Sequence, residues 1–135
     1  MLNQEVIELA KWRMQKAKDS LRDSQNDINE DAYESSANRS YYAVFHAIRA
    51  LLAMDEADFK KHSAVINYFR ENYIKTSIFD KEYSDIVGRA FYVRCNADYL
   101  DFFVISKNEV QQQLTNAEKL VAIIDKYLQI RYEEK

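Results

Sequence analysis

One glycine and no proline in 135 residues leave the chain few means of turning sharply. Phosphate-cradling loops and dinucleotide fingerprints need two or three glycines at fixed offsets, so P-loop and Rossmann sites are excluded. Hairpin-rich β architectures rely on Gly and Pro turns and are disfavoured for the same reason. Cysteine is as scarce as glycine: Cys95 stands alone, which rules out an internal disulfide and suits a reducing cytoplasm. Long apolar runs are missing too. The longest stretch without Asp, Glu, Lys or Arg is the nine residues Ser40–Ile48, against the ~20 that span a bilayer. The opening MLNQEVIELAKW has no cationic start followed by an apolar block, so no secretory signal is visible. Histidine is limited to His46 and His62, with no Glu-x-x-His. Zinc sites and carboxylate-bridged di-metal bundles need more, so neither a metal nor a cofactor is expected. A net charge of −3, from 19 basic and 22 acidic residues, provides no global field for nucleic acid. Any such binding rests on a local patch.

What is present is helical periodicity. The spacing predicts a single all-α domain over residues 1–135, an up-and-down antiparallel four-helix bundle with one shorter additional helix. The first helix is expected from about Asn3 to Ser24, with Val6, Ala10, Met14, Ala17 and Leu21 in one stripe broadened by Leu9 and Trp12. Lys11, Arg13, Lys16, Lys18 and Arg22 read as its solvated basic face, and Asp23–Asp31 as the following turn. The second helix, about Ala32–Met54, is apolar nearly all round and should lie centrally. A third is expected over Ser63–Lys75 with Ser63 as cap, and a fourth after Asp80 with Tyr83, Val87, Ala90 and Phe91 inward. Gly88 inside the fourth costs ~1 kcal/mol against Ala, which suggests a close crossing there. Ser106 and Glu109 form a capping box for the fifth. Its Val110, Leu114, Ala117, Val121, Ile124 and Leu128 alternate steps of four and three, a bundle seam.

Several polar residues break the pattern. Continuing the inward stripe of the fourth helix leads to Arg94 and Asp98, and a charge on a core-facing stripe must be paired or kept wet at a cleft. On the second helix Arg39, Tyr42 and His46 stand at i, i+3 and i+7. Tyr99 follows Asp98, and His62 precedes the third helix beside Lys60 and Lys61. The plainer alternative is an Arg94–Asp98 pair at i, i+4, worth only tenths of a kcal/mol if exposed, an Arg39 bound to Glu34 or Asp98, and a core histidine at 46. Cys95 reads as a small packed hydrophobe.

The run Asn38-Arg39-Ser40-Tyr41-Tyr42-Ala43-Val44-Phe45-His46-Ala47 resembles the HEPN superfamily, the higher eukaryote and prokaryote nucleotide-binding domain. Lys61-His62-Ser63-Ala64-Val65-Ile66 with Phe69 resembles the third-helix start of one prokaryotic branch. Lys75-Thr76 before a helix and Arg94-Cys95-Asn96-Ala97-Asp98-Tyr99 fit the same branch, and together the pieces cover roughly residues 8–130.

The resemblance implies an all-α bundle that often dimerises. Many relatives are metal-independent ribonucleases with an Arg-x(4–6)-His motif, and many are encoded beside a minimal nucleotidyltransferase as the toxin of that pair. Arg39-x6-His46 satisfies the spacing, on the second helix; Arg94, at the late position usual for ribonucleases, is followed by no histidine. A first expectation is therefore a nucleotide- or partner-binding module working with a minimal nucleotidyltransferase antitoxin, with Arg94 and Asp98 on a phosphate or the partner. The alternative is a ribonuclease toxin in which His46 moves protons, Arg39 and Arg94 hold phosphate, and Tyr42 and Tyr99 stack bases. There the RNA 2′-hydroxyl is the nucleophile. A structural dimerisation domain is the third reading. A cytoplasmic homodimer is expected in each, since ten tyrosines and seven phenylalanines exceed what one small bundle readily buries.

Overall fold

Fourteen of the 22 residues of α2 (Tyr33–Met54) are buried, because alanines and aliphatics occur on every side of it. It is accordingly the central element, packed by α1 (Gln4–Asn29), α3 (His62–Phe69), α4 (Lys81–Tyr99) and α5 (Lys107–Tyr132). The computed structural model describes residues 3–99 and 104–134, without the side chains of residues 98 and 99. Among the described residues all regular structure is helical. The seam of α5 is as expected: Val110, Leu114, Ala117, Val121, Ile124 and Leu128 are all buried. The Val, Leu and Ile side chains among them each contribute roughly 1.5–3 kcal/mol if fully buried.

The first helix is longer than its composition suggests. It runs through the polar segment to Asn29, because Ser24 and Ile28 extend its buried stripe by two further steps. Ser24 Oγ lies 3.0 Å from the Ser36 carbonyl oxygen, 2.8 Å from Ser36 Oγ and 2.8 Å from Ser40 Oγ. This dry polar knot pins α1 to α2. Two expectations about α1 are corrected. Trp12 and Leu9 are exposed, at 59% and 41%, so they are not part of the buried stripe. Arg13 is buried, because it shares a stripe with Ala10 and Ala17 and donates to the Arg49 carbonyl at 2.9 Å.

Turns form without glycine. Asp31 and Glu56 adopt left-handed φ of 60° and 54°, each one residue beyond a helix cap. Bonds from Ala32 N to Asp27 O and from Ala57 N to Leu52 O then close the helix ends in Schellman geometry. The third element is shorter as an α-helix than expected: past Phe69 it widens into one π-helical turn, Arg70–Ile74. The capping box of α5 is half made. Ser106 accepts from Glu109 N at 3.1 Å, while the Glu109 carboxylate binds Arg89 at 2.6 Å. Gly88 does mark a close approach, though of a side chain: a Cβ there would lie 3.1 Å from the Arg70 guanidinium.

Candidate functional site

The middle of α2 presents Tyr41, Tyr42, Phe45 and His46, α3 opens on His62, and α4 supplies Arg94. The helices bring these six together. The Arg94 guanidinium carbon lies 5.1 Å from the centroid of Tyr41 and 5.4 Å from that of Tyr42, and Nη2 donates to the Tyr42 hydroxyl at 3.3 Å. Ring faces are electron-rich, so two of them orient a cation without neutralising it. The His62 ring stacks on Phe45 at 4.0 Å, and its Nδ1 is 2.8 Å from the Tyr41 hydroxyl.

The proton on that bond can be placed. Burial pushes the Tyr41 phenol well above its usual value, so it stays protonated. The described residues offer its O–H no other acceptor. Tyr41 therefore donates to Nδ1, and neutral His62 carries its proton on Nε2. Burial, then Arg94 and Arg49, pull the His62 imidazole below its ordinary value. His46, whose ring is 5.9 Å from that of Tyr42, is pushed down to about 4, chiefly by burial and then by Lys16, Arg49, Arg13 and His62. Every charged neighbour acting on it is a cation, and both imidazoles are neutral at pH 7.

Arg94 also borders a groove of about 380 Å³ lined with Glu34, Ser35, Asn38 and Ala97. Ser35, Asn38 and the oriented guanidinium can hydrogen-bond a phosphate or carboxylate there, with the Glu34 carboxylate on the same wall opposing it.

Of the residues expected from the sequence, Arg94, Tyr42, His46 and His62 meet. Arg39 does not join them; it turns to α1, 3.9 Å from Asp23, with half its side chain exposed. Asp98 and Tyr99 lie outside the described side chains. Tyr41 was readable only as core, and it is 1% exposed, yet it supports both Arg94 and His62. The sequence signal for it is slight: a tyrosine where a phenylalanine would pack as well. Among the described residues no three His, Cys, Asp or Glu side chains gather as metal ligands. No described helix is long and apolar enough to cross a membrane.

The HEPN domain matches residues 10–127, and the chain belongs to the HEPN family. It is 34% identical over 115 residues to a Methanocaldococcus jannaschii protein named "Putative toxin MJ0142", covering 85% of this chain and 78% of that one. It is 30% identical over 118 residues to a UPF0332 protein of Thermotoga maritima, covering 87% and 89%. A UPF0332 protein of Archaeoglobus fulgidus is 30% identical over 109 residues, covering 81% and 86%.

Proposed function

We propose that this HEPN protein is the toxin-like member of a toxin–antitoxin pair, a cytoplasmic homodimer that binds nucleotide or RNA phosphate at Arg94 and works with a minimal nucleotidyltransferase. The observation that carries the reading is the guanidinium held over two tyrosine faces at the edge of a polar groove. A planar guanidinium oriented in this way loses little freedom on binding a phosphate. The M. jannaschii relative, by its name, supports the toxin-like role. The test is equilibrium titration with fluorescein-labelled hexauridylate at low salt. Arg94→Ala is expected to weaken binding at least tenfold without a matching loss of thermal stability. Equal affinities in wild type and variant would refute the site.

The imidazoles favour one further reading, metal-independent RNA cleavage. Neutral His46 keeps one nitrogen lone pair and can accept a 2′-hydroxyl proton, whereas on His62 the acceptor nitrogen is already taken by the Tyr41 hydroxyl. Two neutral imidazoles leave the leaving oxygen without an obvious acid, which is why binding is placed first. Cleavage of RNA in the presence of a chelator, yielding 2′,3′-cyclic phosphate and falling 10²–10⁴-fold in His46→Ala, would reverse that order. Absence of cleavage by the wild type would leave binding alone.

A further inference from the structure

Beside the stacked rings of His62 and Phe45 lies a second groove, of about 450 Å³, lined by Phe45, Arg49, Asp58, Phe59, Lys60 and His62. Its charges do not balance. Asp58 is 3.3 Å from Arg49 and 3.8 Å from Arg13, so two guanidiniums share one carboxylate. Lys60 adds a third cation with no ion pair among the described residues. Arg49 Nε is buried and has no hydrogen-bond partner among them. Arg13 feels the shortage: burial and then Arg49 pull its guanidinium below the usual value, against Asp58. Asp58 itself is 57% exposed and is held in place by the Phe59 N–H at 2.9 Å. Next to it the Phe59 ring, backed by Tyr68 at 5.8 Å, is 42% exposed.

A cation-rich groove with one displaceable carboxylate and an open aromatic face matches an aromatic base joined to a phosphate. An acidic peptide would satisfy the cations and leave the ring unused. We infer that this groove is a second nucleotide subsite, where a base stacks on Phe59 and its phosphate takes over the position of the Asp58 carboxylate beside Arg49, with Lys60 at the rim. The inference rests on the reading of Arg94 as a phosphate site, since His62, which lines this groove, is held by the same Tyr41 that orients Arg94. Asp58 then acts as a built-in competitor: it keeps the arginines folded when RNA is absent and lowers affinity when RNA is present.

Two probes separate the subsites: uridine monophosphate, whose first bound equivalent is assigned to the Arg94 site, where Asp58 does not compete, and labelled hexauridylate, which reaches both. Phe59→Ala and Lys60→Ala are each expected to weaken hexauridylate roughly tenfold and to leave the mononucleotide within about twofold. Lys60→Ala should also reduce the slope of log affinity against log salt by about 0.7, one phosphate contact on a single strand. Asp58→Asn should tighten hexauridylate several-fold. Unchanged hexauridylate affinity in the Phe59 and Lys60 variants, weaker binding in Asp58→Asn, or hexaglutamate competing as well as hexauridylate would each overturn the inference. If Arg94→Ala weakens both probes while the groove variants weaken neither, the second subsite falls and the Arg94 site stands. If the groove variants act and Arg94→Ala does not, the reverse holds. If the wild type binds neither probe, both are wrong.

Discussion

Asp55 and Asp58 stand three residues apart beyond the end of α2, and each faces arginine, with opposite consequences. Asp55 is 2.6 Å from Arg131 and accepts from the Tyr73 hydroxyl at 2.6 Å and the Tyr68 hydroxyl at 3.1 Å. Arg131 spends its other donors on Tyr73 and the Met54 carbonyl. Both side chains are mostly buried, 17% and 20% exposed. One carboxylate matches one guanidinium there, and the cluster ties the π-helical turn and the end of α5 to α2. Asp58 is exposed, its contacts are longer, and two arginines divide it. Short, buried, one-to-one pairing is architecture, whereas a long and shared pairing leaves charge for a ligand.

The largest expected effect falls on the architectural cluster. Asp55→Ala strands a largely buried guanidinium and two hydroxyls, and should cost ~3 kcal/mol, lowering Tm by roughly 10 °C. Asp58→Ala should cost about 1 kcal/mol, because the carboxylate itself is exposed and its contacts to the two arginines are long. Urea unfolding of both variants checks this, and equal losses would break the contrast.

Arg94→Lys comes next. It keeps the charge and loses the planar face that two rings orient, so hexauridylate affinity should drop about tenfold, near 1.4 kcal/mol, with stability little changed. Retained affinity would mean that charge alone matters at Arg94, and the ring geometry would carry no functional meaning.

Smaller still is a pH effect. His46 has its folded pKa pushed down to about 4, against ~6.5 when unfolded. Between those values the unfolded chain takes up a proton that the folded chain refuses. Stability is complete above about pH 6.5 and declines as pH falls toward 4, by on the order of 1 kcal/mol once partial exposure is allowed for. Substitution His46→Gln should flatten that part of the curve. A decline of equal size in the variant would place the burden on other groups.

A third arginine setting gives the smallest test. Arg70 binds only a hydroxyl among the described residues, Ser84 Oγ at 3.0 Å, and its guanidinium lies over Gly88. The end of a flexible side chain can shift a few tenths of an ångström. Gly88→Ala should therefore raise stability by about 0.5 kcal/mol, most of the helix-propensity gain surviving. A loss instead would show that Arg70 is held as firmly as Arg131.

Most of the architecture was legible because five apolar stripes repeat at helical spacing. The end of α1 was not, since Ser, Asn and Asp are weak helix formers and only Ser24 and Ile28 reveal that the buried face continues. Arg13 was misread through its residue type, although its spacing from Ala10 and Ala17 places it on the inner stripe. Within the site, Arg94 announced itself as a charge on an apolar stripe. The meeting of His62 with Tyr41 joins residues 21 apart across a loop, and no local pattern encodes that. Nor could sequence spacing tell that Arg39 turns to Asp23 on α1, away from His46.

The serine knot between α1 and α2 carries a consequence beyond holding them together. Ser24 has a single hydroxyl proton, and the Ser36 carbonyl can only accept. If Ser24 gives its proton there, Ser36 and Ser40 must each direct theirs to the Ser24 oxygen, and the order of all three protons is fixed. That arrangement has one lateral setting: a slide of α2 by one residue's rise, about 1.5 Å, would carry Ser36 and Ser40 away from Ser24, and the dry hydroxyls would lose their partners. Tyr41, Tyr42 and His46 ride on the same rigid rod just beyond. Three buried protons thus serve as an index mark, setting where along α1 the face that carries Tyr41, Tyr42 and His46 stands.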